Sequence, residues 1–251
     1  MSRIYGECRS LDYSKVEKFF RDRSGKIAET GPLSVTMYQT EEVAKLRDRH
    51  EKAAVAPLLR AGPGARVLDI GCGTGRWGTF LSEVVGSYLG VDFCDAYIQV
   101  GQALFAERKL DPNRFRFQQL RATDVSADTL SFSPPFDLLI IAGLVAFLND
   151  ADARSLFDTV SSLSSVGATI YLREPVAIDQ RLTLLDFPSE QLQQSYSAVY
   201  RTDAEMRSLF SPLVAAGAVL EAEFILFPPD MLSLATRQET NQRVYILRMP
   251  G

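Results

Sequence analysis

The residues with the most chemical potential lie together: Val67-Leu68-Asp69-Ile70-Gly71-Cys72-Gly73-Thr74-Gly75-Arg76-Trp77-Gly78. Glycines recur at every second position directly after a short apolar run. Without side chains, such a backbone can turn sharply and approach a ligand closely. A helix expected to begin there aims its free N–H groups into the same space. A crevice at the carboxyl ends of parallel strands suits a nucleotide-like cofactor. A second short strand, Leu89-Gly90-Val91-Asp92-Phe93, closes on an acid.

The glycine spacing discriminates between cofactors. A dinucleotide fingerprint places GxGxxG directly after the strand. Counted from Gly71, its third glycine falls on Arg76, and the literal match Gly73-x-Gly75-x-x-Gly78 starts two residues late. Asp69, inside the strand end, would set a negative charge near a pyrophosphate. A cofactor with a sulfonium cation and no phosphate tolerates that acid well.

With these residues in place, VLDIGCGTG resembles motif I of the class I, Rossmann-like S-adenosylmethionine-dependent methyltransferases. The resemblance implies that Gly71, Cys72, Gly73 and Gly75 line the methionine part of the cofactor, with Asp69 supporting the loop. It implies that Asp92 accepts hydrogen bonds from both ribose hydroxyls and that Phe93 flanks the adenine. The family often has an acid followed by Ala after the third strand. Arg121-Ala122-Thr123-Asp124 departs from that pattern, leaving Ala122 and Thr123 as backbone contacts and Asp124 as a replacement acid. FDLLIIAGL matches the family's fourth strand, so Ala142 and Gly143 are expected at the cofactor's edge. Leu46-Arg47-Asp48 followed by Glu51-Lys52, ahead of a GRW-containing motif I, is similar to some bacterial small-molecule methyltransferases. The expected cofactor is S-adenosyl-L-methionine, with S-adenosyl-L-homocysteine as product.

Other positions have two readings each. His50, the sole histidine, is either a general base with a pKa near working pH or an exposed helix residue. Arg47 pairs with the cofactor carboxylate or an acidic substrate, or is a helix-surface charge. Tyr196 and Tyr200, four apart, would share a helical face, lining the acceptor pocket or packing in the core. Tyr200 is carried as a second catalytic candidate, and Tyr38, Tyr196 and Arg201 as acceptor contacts. Trp77 reads as core packing. Ser133-Pro134-Pro135-Phe136 looks like the SPPY-type motif of amino-methyltransferases but precedes the fourth strand instead of following it, and Phe227-Pro228-Pro229-Asp230 comes too late in the chain. Both read as loops.

The elements that must position these residues alternate. Strands are expected at 66–70, 87–92, 115–120, 136–142 and 168–173, with helices at 13–23, 41–59, 77–85, 96–109 and 150–162. Thr40 before Glu41-Glu42 reads as an N-cap. This order argues an α/β fold with a doubly wound, mostly parallel sheet. Strand-like segments at 219–227 and 242–249 suggest an antiparallel C-terminal addition. Residues 1–62 read as an N-terminal helical lid, and 63–251 as the main domain with a substrate-pocket insertion around 175–205.

Bulk properties bound the function. The 251 residues carry a net charge of −4, with 46% hydrophobic and 23% charged residues. An acidic chain without a basic stripe argues against nucleic acid, and no polybasic patch or apolar span suggests a membrane. The N-terminus lacks an apolar signal core. Three cysteines and one histidine make no disulfide framework and no zinc set. The expectation is a cytoplasmic monomer or homodimer that methylates a small-molecule acceptor on N or O, with no metal. The alternatives are a nicotinamide-dependent oxidoreductase, a methyltransferase acting on nucleic acid or protein, and a binding module without turnover.

Overall fold

The computed structural model of the chain describes residues 2–33, 40–190, 192–227 and 237–251. Its main sheet has seven strands in the order β4-β3-β2-β5-β6-β10-β9. They are β2 (Arg66–Ile70), β3 (Ser87–Asp92), β4 (Phe115–Gln119), β5 (Phe136–Ala142), β6 (Ser164–Ala177), β9 (Val219–Ile225) and β10 (Thr240–Arg248). β2 to β6 pair in parallel, while β10 runs antiparallel to both β6 and β9. The expected C-terminal addition is therefore present.

Alternation within β2 shows why this sequence forms a doubly covered sheet. Leu68 and Ile70 pack on one face with Leu139, Phe157 and Leu172. Val67 packs on the other with Trp77, Tyr88, Ile140 and Tyr171. Successive strand side chains point to opposite faces, and here both faces are covered by helices. Trp77 is a core residue, set edge-on to Tyr171 at 5.2 Å.

The helices are α1 (Tyr13–Ser24), α2 (Ile27–Thr30), α3 (Glu41–Val55), α4 (Arg76–Leu81), α5 (Asp95–Glu107), α6 (Asp150–Leu163), α7 (Asp203–Leu209) and α8 (Ser211–Ala215). The Asp12 carboxylate caps α1 by accepting from Ser14 N, and Thr40 caps α3 by accepting from Val43 N. Thr202 and Glu205 form a capping box on α7.

Two expectations are corrected. The N-terminal segment is not wholly helical: β1 (Ser2–Tyr5) joins β7 (Leu182–Ser189) and β8 (Gln194–Tyr200) in a separate antiparallel sheet, β1-β7-β8. Tyr196 and Tyr200 thus lie on a strand. They share a face because strand side chains repeat every two residues, not because of helical spacing. α1 packs over this small sheet, with Phe19 against Tyr196.

Strand order reverses between β2 and β5, which opens a crevice beyond their carboxyl ends. Two loops flank it: the glycine loop after β2, and the turn after β5 at Gly143, whose φ is +83°.

Candidate active site

A cavity of about 480 Å³ occupies this crevice, within the ~300–1,000 Å³ usual for small-molecule sites. Its floor is Gly71, Cys72 and Gly73, and its sides include Asp92, Phe93, Ala122, Thr123, Ala142 and Gly143. Nine of the residues expected at the cofactor therefore come together here. Its roof is one face of α1, where Tyr13, Val16, Glu17 and Phe20 look into it.

The glycine loop is held from both ends. Gly71 N and Cys72 N both donate to Val91 O, at 2.8 and 3.0 Å. Asp92 accepts from Gly73 N through Oδ2 and from Cys94 N through Oδ1, each at 2.9 Å. Burial pushes the Asp92 carboxyl up to about 6 against the pull of these two N–H groups. Asp69 sits beneath the loop, outside the cavity lining, and accepts from Tyr88 Oη at 2.8 Å. Burial pushes it up to about 7. Gly75 is also set back from the cavity. It has a φ of +77° at the start of α4, and a Cβ there would lie 2.3 Å from Phe117 Cζ.

The turn after β5 is fixed by a residue that no local motif singles out. Glu174, 1% exposed, accepts from the N–H groups of Gly143, Leu144, Val145 and Ala146 at 2.8–3.2 Å. Burial raises its carboxyl despite these donors. α1 is tied down nearby: Tyr13 Oη donates to Asp152 and accepts from Asn149 N at 2.9 Å. Across the cavity, Arg121 Nε donates to Glu17 of α1 at 2.7 Å.

A second cavity, of about 560 Å³, adjoins the first and shares Ala142, Gly143, Phe147 and Arg173 with it. Arg47, Tyr196, Tyr200, Arg237 and Gln242 belong to its lining. Arg237 donates to Tyr196 Oη, and the Tyr196 and Tyr200 hydroxyls are 3.1 Å apart. Arg47 therefore borders the second cavity and not the first, where the cofactor carboxylate was considered. Its guanidinium lies 4.9 Å from the Phe227 ring. Burial and neighbouring Arg173 bring its pKa down to about 10.

The remaining candidates fall elsewhere. His50 borders neither cavity; its Nε2 is 2.8 Å from Leu226 O and its ring packs against Phe227. Arg201, 1% exposed, is a structural clamp, with Nη1 on Val145 O, Nη2 on Leu148 O and Nε on Asp150. Tyr38 lies outside the described residues. Arg76, where a dinucleotide fingerprint wants glycine, instead lines the first cavity and is ion-paired to Asp48 and Glu51.

Comparison with known proteins bears on the segment that builds the first cavity. Residues 67–167 match the family defined as a methyltransferase domain. The matched segment contains the glycine loop, Asp92 and the turn after β5. Its curated relatives include phosphoethanolamine N-methyltransferase 3 of Arabidopsis thaliana, 24% identical over 57% of this chain and 28% of the relative. Phosphoethanolamine N-methyltransferase 1 of Caenorhabditis elegans is 29% identical over 56% and 27%. The match spans less than a third of the length of either relative.

Among solved structures, phosphoethanolamine N-methyltransferase 1 of Haemonchus contortus, in complex with phosphoethanolamine and S-adenosylhomocysteine, superposes with a TM-score of 0.71. It is 16% identical, over 96% of the present chain and 50% of the Haemonchus one. Magnesium protoporphyrin IX methyltransferase of Synechocystis with bound S-adenosylmethionine gives 0.57 at 15% identity, covering 96% and 100%. The chain shares their fold. Among its described residues, no helix is long and apolar enough to cross a membrane.

Proposed function

We propose that this chain catalyses methyl transfer from S-adenosylmethionine to a small-molecule acceptor, with the cofactor in the first cavity and the acceptor in the second. One observation carries this reading: two cavities of ligand size meet at a common wall, and one of them is built from the glycine loop and Asp92. The donor set fits the cofactor. The Asp92 carboxylate faces the cavity where paired hydroxyls would donate to it, and Phe93 and Ala122 offer apolar surface to an aromatic base. When bound, S-adenosylmethionine supplies an electrophilic methyl group, whose bonding pair stays on sulfur as an acceptor lone pair takes the carbon.

The chain's own contribution is alignment and exclusion of water. Glu174 holds the Gly143 turn rigid at the seam between the cavities. α1 covers the cofactor side, consistent with residues 1–62 acting as a lid. Arg47, Arg173 and Arg237 line the acceptor cavity with two phenols, a donor-rich surface suited to an acceptor carrying a phosphate or carboxylate. The phosphoethanolamine methyltransferases among its relatives support a phosphorylated amine. An amine acceptor in its neutral form needs no strong base, which suits a site whose sole histidine borders neither cavity. The net charge of −4 supports a small-molecule acceptor rather than nucleic acid.

Calorimetric titration with S-adenosylmethionine, S-adenosylhomocysteine and NAD tests the cofactor. Micromolar binding of the adenosyl ligands alone is expected, and binding of NAD alone would reverse the reading. Turnover of phosphoethanolamine by wild type, with Arg237→Ala raising the acceptor KM at least tenfold at constant cofactor affinity, tests the acceptor class.

A further inference from the structure

Beside the glycine loop, two buried arginines turn toward the first cavity, and one carboxylate holds both. Arg76 Nη2 donates to Glu51 Oε1 at 2.8 Å, and Arg173 Nε to the same oxygen at 3.3 Å. Tyr171 Oη adds a third donor at 2.5 Å. Arg76 Nη1 continues to Asp48 at 3.1 Å, and Arg173 Nη1 to Gln242 at 3.1 Å. Glu51 is fully buried and lines neither cavity. Burial would raise its carboxyl, but Arg173 and Arg76 outweigh that and hold it at about 2. Asp48 and Glu51 likewise keep Arg76 charged against its own burial.

The charge balance makes this arrangement informative. Arg76 and Arg173 bring two cations to Glu51, while Asp48 is shared with Lys52 at 2.6 Å. A buried cation is costly unless it meets an anion. Arg173, on β6, is in register with Ala142 at the end of β5, whereas Phe93 and Ala122 follow β3 and β4, so the guanidinium pair held by Glu51 lies across the sheet from the Phe93-Ala122 wall. A ligand whose base rests on that wall and whose ribose meets Asp92 would bring its opposite end to the guanidiniums. In S-adenosylmethionine, that end carries the sole anionic group, the α-carboxylate.

We propose that Glu51 is a positioning residue: it orients Arg76 and Arg173 to receive the α-carboxylate of the cofactor. Glu51 does not touch the ligand. Its single oxygen sets the angle between two guanidinium planes, and those planes make the charged hydrogen bonds. Arg173 also lines the acceptor cavity, so the same carboxylate fixes part of the wall on which the acceptor rests. This inference rests on the cofactor reading above.

The test compares S-adenosylhomocysteine with 5′-methylthioadenosine, which keeps the adenosine and sulfur but lacks the amino-acid end. Calorimetry on the full chain gives both dissociation constants for wild type, Glu51→Gln and the gentler Tyr171→Phe. Wild type is expected to prefer S-adenosylhomocysteine at least tenfold. Glu51→Gln should weaken that ligand about tenfold or more and leave methylthioadenosine within twofold, and Tyr171→Phe should shift the ratio the same way by less. Equal losses for both ligands in Glu51→Gln and Tyr171→Phe would mark a merely structural role and overturn the proposal. An unchanged ratio in either folded variant would do the same. Wild type showing no preference would remove this inference alone, whereas wild type binding neither ligand would remove the cofactor reading with it.

Discussion

The Asp92 carboxylate, which ends β3, accepts a hydrogen bond at 2.9 Å from the backbone N–H of Gly73, in the loop after β2. One residue thus shapes the glycine loop and presents an acid to the cavity. In the ligand-free chain its pKa is pushed up to about 6, because burial disfavours the charge. Hydroxyl donors bind the ionised form, so the affinity for S-adenosylhomocysteine should fall as pH drops through about 6. Binding should release protons between about pH 5 and 7, seen by calorimetry in buffers of different ionisation enthalpy. Asp92→Asn should lose about 1.5–3 kcal/mol of binding, roughly a tenfold to hundredfold rise in Kd, and should flatten the pH dependence.

Asp69 makes a separate prediction about stability. Burial raises its pKa in the folded chain to about 7, from an ordinary carboxylate value of 3.8. A raised carboxyl pKa contributes stability that is fully present below the unfolded value and is lost as pH rises through the folded one. Asp69 should therefore make the ligand-free chain lose stability between pH 4 and 7, its own share being at most about 1.4 kcal/mol per pH unit across that interval. Asp69→Asn keeps an oxygen for the Tyr88 hydroxyl and removes the charge. Thermal denaturation of that variant should depend less on pH and should exceed wild type at pH 8.

Gly75→Ala meets two obstacles at once. The position has a φ of +77°, and the new Cβ would lie 2.3 Å from Phe117 Cζ. Left-handed backbone costs an L-residue about 1–2 kcal/mol, and overpacking a core about 1–3 kcal/mol. Together they should lower Tm by on the order of 10 °C in a chain of this size, measurable by circular dichroism before any ligand is added.

His50→Ala should leave turnover within about threefold of wild type. The ring borders neither cavity and bonds the Leu226 carbonyl. Losing that hydrogen bond should cost about 1 kcal/mol of stability. A hundredfold fall in kcat with Tm unchanged would instead return His50 to the chemistry.

The residues legible in the sequence share a physical property. Gly71, Cys72, Gly73 and Asp92 act through the backbone path of one strand–turn–helix unit and the neighbouring strand end, so their roles are written in nearly consecutive letters. The Glu51 network was not legible in that way. Glu51 meets Arg173 across 122 positions, and the two come together because α3 lies over the face of the sheet that Tyr171 occupies. Likewise, nothing local announces that Glu174 will bind four N–H groups, since that depends on β5 and β6 being neighbours. The segment around Tyr196 failed differently. A spacing of four satisfies both a helix face and a strand face, and only the partnership of β8 with β7 selects the strand. Arg237 meets Tyr196 through that same choice.

β10 follows β9 in the chain yet stands between β6 and β9 in the sheet. During synthesis, β6 therefore keeps an open edge until residues 240–248 emerge from the ribosome, although β9 is made earlier. That edge includes Ile170, Tyr171 and Leu172, all fully buried in the finished protein. A nascent chain stalled before residue 240 would present an apolar strand with free backbone groups, the kind of edge that recruits other chains. Chaperone dependence and aggregation should thus concentrate in products cut within β10, while losses confined to β9 would leave the β6 edge sealed.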